Sequence, residues 1–159
     1  MNKKLFVLVA IMVVASAMVF ASHPMEGRFG VGAAINAPFG SVAVGEYNLG
    51  VASVNVSLGY QEYGFGFFHL GVGGDYNFPG VFSNSDMGVD LYASVGGKLD
   101  LGFNSNVTML GIGFPISLSY IFEDMPMKVY TRAVPGFIAL LGWSFDIWTR
   151  GEVGAMYYF

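Results

Sequence analysis

The sequence predicts an all-β protein: an eight-stranded antiparallel up-and-down transmembrane β-barrel behind a cleaved signal peptide. Three observations predict it. Nearly all of the chain beyond residue 21 alternates with the period of two that puts successive side chains on opposite faces of a strand. Pro, Gly and Asn turn signals separate the alternating runs. The composition is 54% hydrophobic against 11% charged, whereas a water-soluble surface draws about a quarter or more of its residues from the charged types. Contact with lipid removes that requirement.

The N-terminus stands apart. Met1-Asn2-Lys3-Lys4 is a short positive region, Leu5 to Phe20 is apolar apart from Ser16, and Val19-Phe20-Ala21 offers compact residues where a signal peptidase reads. Residues 1–21 are therefore expected to be a signal peptide cleaved after Ala21, and residues 22–159 one barrel domain. The apolar run is short for a retained anchor. Without cysteine, a lipid-anchored N-terminal Cys and disulfides are both excluded. Beyond Ala21 the basic residues are Arg28, Lys98, Lys128, Arg132 and Arg150, against eleven acidic ones. No basic patch exists to hold nucleic acid.

The first strand is expected over 28–38, with Phe29, Val31, Ala33, Ile35 and Ala37 on one face and Pro38-Phe39-Gly40 turning the chain. A weaker run over 41–47 places Val42 and Val44 together before Asn48-Leu49-Gly50 turns it again. Val51 to Tyr60 sets Val54, Val56, Leu58 and Tyr60 against Ser53, Asn55 and Ser57. Phe65 to Phe78 sets Phe68, Leu70, Val72, Tyr76 and Phe78 outward, with Phe67, His69, Asp75 and Asn77 opposite. Residues 79–87 read as a polar loop. Gly88 to Leu101 gives Leu91, Val95, Leu99 and Leu101 against Tyr92, Ser94, Lys98 and Asp100, and Asn104-Ser105-Asn106 makes a turn. From Thr108 to Phe122, Leu110, Ile112, Phe114, Ile116, Leu118, Tyr120 and Phe122 form one apolar column. After Glu123 to Pro126, Met127 to Leu140 sets Lys128, Tyr130 and Arg132 against Val129, Thr131, Ala133 and Phe137. The closing strand, Phe145 to Phe159, carries Asp146, Trp148, Arg150 and Glu152 opposite an apolar face with aromatic ends. Eight is an even number, so both chain ends emerge on one side.

Two alternatives meet this reading. Leu101 to Phe122 is uncharged and long enough for a membrane helix, but its Asn, Gly and Pro residues and its period of two oppose one. A soluble lipocalin-like barrel alternates in the same way. The bulky apolar columns here lie opposite Gly, Ser, Asn and ionisable groups, and a narrow barrel has little room inside for such columns. Lipid outside fits better, and the aromatics near strand ends (Tyr60, Phe65, Phe68, Tyr120, Phe122, Phe145, Tyr157, Phe159) fit interfacial girdles.

If the last hairpin turns near Gly142, Arg132 lies opposite Glu152 or one diagonal step away. Lys128, Arg132, Asp146, Arg150 and Glu152 are then expected to form a structural ionic cluster in the lumen. Removing one partner of a buried pair costs about 3–5 kcal/mol, so Glu152→Ala should destabilise the barrel and Arg132→Met should largely restore it. Pro115 is expected opposite Val134 or Pro135, at a shared bulge or bend.

Little points to chemistry. His69 is the one histidine within the strands, and a lipid-modifying site would need Ser or Asp beside it near the rim. Two histidines and no cysteine give no closed metal site. Gly71-Val72-Gly73-Gly74 is followed by no helix, so it is no phosphate cradle. The aspartates are too scattered for an EF-hand loop. No catalytic residue and no cofactor are expected.

The segment GIGFPISLSYIFEDMPMKVYTRAVPGF followed by FDIWTRGEVGAMYYF resembles small eight-stranded bacterial outer-membrane barrels, similar in architecture to the OmpA/OmpX type. Pro115, Leu118, Tyr120, Phe122, Asp124 and Pro126, then Val134-Pro135-Gly136 and the ending Tyr157-Tyr158-Phe159, carry the resemblance. Group members often have acidic residues where Lys128 and Arg132 stand. The resemblance implies a monomer in the bacterial outer membrane, in contact with its lipid. It also implies that periplasmic chaperones and the barrel assembly machinery handle the chain, with Tyr157 and Phe159 as the assembly signal. It implies no activity. A structural or surface-interaction role is expected first, then a narrow pore or small hydrophobic-ligand carrier, then a lipid-modifying enzyme.

Overall fold

The computed structural model describes residues 24–37, 40–62, 66–78, 82–84, 89–122, 124–141 and 144–159. The expected signal peptide and its cleavage point lie outside them, as do Phe65 and most of the 79–87 segment. The strands are β1 (Phe29–Ala37), β2 (Gly40–Asn48), β3 (Ala52–Glu62), β4 (Gly66–Asn77), β5 (Phe82–Asn84), β6 (Val89–Phe103), β7 (Thr108–Gly113), β8 (Ile116–Ile121), β9 (Met127–Leu140) and β10 (Ser144–Tyr158).

Eight staves close into a barrel. β7 and β8 are two halves of one stave, each pairing β6 on one side and β9 on the other. β5 is a short arm paired with the start of β6, inside the segment expected to be all loop. Every neighbouring pair is antiparallel, and β1 pairs with both β2 and β10, which removes the sheet edge along that ladder. The stretch weighed as a membrane helix is strand throughout apart from its turns.

The register fixes the stagger. From Gly154 on β10 the ladder passes to Ala34, Val42, Gly59, His69, Gly102, Met109 and Leu140, and returns to β10 at Ser144. One circuit thus climbs ten residues, so the staves are strongly tilted against the barrel axis. β1 and β2, nine residues each, are short beside the fourteen of β9 and fifteen of β10. β1 starts and β10 ends at one mouth, here the terminal mouth. The β1–β2, β3–β4, β6–β7 and β9–β10 connections lie at the other, the far mouth.

Turn chemistry follows the sequence. Gly50 adopts φ +88°, a left-handed conformation that glycine takes without penalty, and its N–H donates to Asn48 Oδ1 at 2.8 Å. Asn104 Oδ1 accepts from the N–H groups of Asn106 and Val107.

The expected bulge at the prolines is not there. Gly113 pairs with Gly136 and Ile116 with Ala133, and toward β6 Gly113 pairs with Lys98 and Ile116 with Val95. The register is the same on both sides of the break, so no residue is inserted. Phe114 donates to Pro135 O, and Gly96 donates to Pro115 O. Each proline removes only the return bond of an exchanged pair, one toward β9 and one toward β6. Two separate missing donors, rather than one shared bulge, divide β7 from β8.

Candidate functional site

The outer wall is apolar. Val54, Val56, Leu58, Leu70, Val72, Leu99, Leu110, Ile112, Ile116 and Val153 are all exposed on it. Toward the terminal mouth it carries Phe29 opposite Tyr47 and three edge-on pairs two residues apart: Tyr76 with Phe78, Tyr120 with Phe122, and Tyr157 with Phe159. Toward the far mouth Tyr60, Phe68 and Phe103 run across three adjacent staves, and Phe137 stacks on Phe145 at 5.7 Å. Two aromatic belts therefore bound an aliphatic band. The sequence-expected assembly residues Tyr157 and Phe159 sit outward in the terminal belt.

Within the wall lies a buried ionic layer. Glu46, Asp75, Asp100 and Glu152 face Lys98, Lys128, Arg132 and Arg150, each under 8% exposed. Among the described residues these buried groups are four anions and four cations. Lys128 Nζ bonds Glu46 Oε1 at 2.6 Å, and Tyr158 Oη donates to the same oxygen at 2.5 Å. Arg132 bonds Asp75 Oδ2 through Nη2 and Ser117 Oγ through Nε, both at 2.8 Å, and lies 3.9 Å from Glu152 Oε1. Asn55 Nδ2 also donates to Asp75 Oδ2, and Tyr130 Oη to Glu152 Oε1. His69 Nε2 donates to Asp100 Oδ1 at 2.6 Å. Arg150 bridges the two groups of anions, 3.7 Å from Asp100 Oδ2 and 3.9 Å from Glu152 Oε2, with its guanidinium over the Trp148 ring.

Both mouths are stopped by apolar side chains. Phe67 and Met109 are almost wholly buried toward the far mouth, and a Cβ added at Gly102 would meet both of them. At the terminal mouth Met25, from the turn before β1, packs with Ile121, Tyr158, Met156 and the half-buried Tyr92.

Of the residues expected in the ionic cluster, the structure brings together Lys128, Arg132, Arg150 and Glu152, with Arg132 directly opposite Glu152. Asp146 is not with them: it is exposed, and its Oδ1 accepts the Ile147 N–H at 2.8 Å. The alternation of β10 is unbroken there, but β10 has by then risen past the end of β1, so Asp146 no longer faces an enclosed lumen. Sequence reasoning missed Glu46, Asp75, Lys98 and Asp100 as members, because they lie on staves across the barrel. Asp75, Lys98 and Asp100 did carry a signal, as polar residues on the reverse of apolar columns, whereas Glu46 shares its face with Val42 and Val44. His69, weighed as a rim base, is instead sealed against Asp100. Among the described residues no group of His, Cys, Asp and Glu is placed to hold a metal ion.

No protein-family model matches the chain, and no curated protein matches it in sequence. Among solved structures, the chain is similar to the N-terminal β-barrel domain of Pseudomonas aeruginosa OprF, with a TM-score of 0.50 and 18% identity over 84% of this chain and 98% of that one. At that identity the likeness is one of fold, and it agrees with the closed eight-stave barrel derived from the registers.

Proposed function

We propose that the chain is an integral outer-membrane β-barrel protein with a structural role, its lumen filled by side chains. One observation carries the reading: an aliphatic wall between two aromatic belts surrounds a sealed, charge-balanced interior. In hydrocarbon every backbone group must be paired internally, and a closed barrel does so. The fold likeness to an OprF barrel domain supports this placement. Residues 1–21 serve as the export signal, the chain stands as a monomer among outer-membrane lipids, and Tyr157 and Phe159 present the assembly signal to chaperones and the barrel assembly machinery.

A narrow pore or ligand carrier finds less support, since apolar side chains stop both mouths. The connections at the far mouth run only from Ala37 to Gly40, Glu62 to Gly66, Phe103 to Thr108 and Leu140 to Ser144, which leaves little loop for surface recognition. The enzyme reading has no site at His69, which lies fully buried beside Asp100 and Arg150.

Two measurements on the detergent-folded protein test the proposal together: heat-modifiable gel migration and planar-bilayer current. The proposal expects a migration shift on boiling and no steady conductance. Migration unaffected by boiling contradicts the membrane barrel, and steady reproducible current steps contradict the filled lumen.

A further inference from the structure

Near Gly151 the outer wall is hollow without the fold requiring it. Gly151 on β10 and its partner Ala133 on β9 both face outward. Over them an apolar trough of about 750 Å³ opens between Ile35 on β1 and Ile116 and Leu118 on β8. Gly151 is extended strand, and among the described residues a Cβ there would meet only Ala37 Cβ, at 3.8 Å, an ordinary contact. At Gly32 and Gly136 a Cβ would run into the Ala155 and Ile112 carbonyls, so close strand packing demands those two glycines. It does not demand Gly151, although glycine inside a strand gives up backbone entropy and side-chain contacts.

The trough lies between the belts. Along β10, Gly151 is six residues from Phe145 in the far belt and six from Tyr157 in the terminal belt, about 20 Å of strand on either side. Ile35 and Val153 at its border are 73% and 64% exposed, against 41% and 40% for Leu70 and Leu101 elsewhere in the band, so they lack lateral packing. The β1–β10, β10–β9 and β9–β8 ladders are paired beneath it, which leaves no strand edge to bind. Ser117, Arg132 and Glu152 turn their side chains into the lumen. The flanking β1 and β8 columns are three strand spacings apart, about 14 Å. With their own side chains in place they leave too little width for a helix of about 10–12 Å.

We propose that the trough is a lipid site, which seats one acyl chain of a phospholipid from the surrounding bilayer. It is continuous with the aliphatic band, the surface that meets lipid, so acyl chains are what reaches it. A chain lying there is touched on both flanks and from below, whereas the convex wall elsewhere touches a chain on one side. The headgroup takes no part, since no charged side chain faces outward among the described lining residues. The site rests on the membrane placement proposed above and adds a fixed position to it.

The test takes the full chain from nanodiscs of phosphatidylcholine or phosphatidylglycerol, with the same acyl chains, into dodecyl maltoside and counts bound lipid by native mass spectrometry. One phospholipid per barrel is expected to remain, in equal fraction for the two headgroups. Gly151→Leu and Ala133→Leu fill the trough from two different staves. Each should lower that fraction about tenfold, the equivalent of roughly two displaced methylene groups. Gly97→Leu on β6 should retain the lipid, since Gly97 is also outward and a Cβ there meets nothing within 4 Å. Heat-modifiable migration checks that each variant folds, and either filling variant suffices for the comparison. No retained lipid, retention unchanged by filling, or dependence on the headgroup overturns the site. A two-chain mass that the filling variants abolish also overturns it, by giving the trough to a second copy. Oxygen-enhanced relaxation of a spin label on Ile112→Cys separates two failures. Lipid-like relaxation with no retained phospholipid removes the trough site alone, whereas water-like relaxation removes the membrane placement with it.

Discussion

Arg132 offers the sharpest perturbation of the lumen. Arg132→Met removes a 2.8 Å ion pair to Asp75, a 2.8 Å bond to Ser117 and the weaker 3.9 Å approach to Glu152. Among the described residues Asp75 then keeps Asn55 alone, at 2.9 Å, whereas Glu152 keeps Tyr130 at 2.8 Å and Arg150 at 3.9 Å. An unpaired buried charge costs about 3–5 kcal/mol, and here that cost falls on Asp75. Arg132→Met with Asp75→Asn removes both charges and should return to within about 1 kcal/mol of wild type. Arg132→Met with Glu152→Ala leaves Asp75 stranded and should stay near the single mutant. The rescue read from the sequence therefore moves from Glu152 to Asp75. Reversible urea unfolding in lipid vesicles, followed by tryptophan fluorescence, measures all three. Rescue by Glu152→Ala and not by Asp75→Asn would refute this reasoning.

Other consequences follow from the same geometry. A Cβ at Gly32 would run into the Ala155–Met156 backbone, while one at Gly97 meets nothing within 4 Å. Gly32→Val should therefore prevent the seam from closing and abolish heat-modifiable migration, and Gly97→Ala should change stability by no more than about 0.5 kcal/mol. Lys128→Met strands Glu46, with only Tyr158 to meet it, and should cost about 3 kcal/mol or more by urea unfolding; adding Glu46→Gln should recover most of that. Phe159→Ala should slow insertion by reconstituted assembly machinery severalfold and lower equilibrium stability by only about 1 kcal/mol. Equal insertion rates would remove Phe159 as a signal.

Much of the wall was legible because a period of two is directly visible in sequence. The Thr108–Phe122 column needed no structure to be assigned outward. The 41–47 run was weak because Val42 and Val44 turn inward, into the apolar packing of the terminal mouth, and Ala43 turns outward. Neither face then shows contrast, and the register with β1 and β3 fixes the stave instead. The hairpin pair Arg132–Glu152 was readable, since it depends on one turn. Asp75 and Glu46 were not, because cross-lumen partners depend on the stagger accumulated around the circuit. Phe67 and Met109 were not read as stoppers either: alternation gives a side chain's face but not its height. Asp146 failed for the same reason, since its face is right and its height is above the enclosed part of the barrel.

The central claim is that the bulky columns look outward into lipid while the ions are enclosed. The chain has no cysteine, so single cysteines at Val56, Leu99 and Ile112, all outward and near or above half exposed, can carry spin labels in a lipid-embedded sample without background. Relaxation of all three labels by oxygen dissolved in the acyl chains, with little effect from a water-soluble nickel chelate, is the predicted result. Relaxation by the chelate at these three positions, with the protein running as a compact monomer in plain buffer, would contradict it.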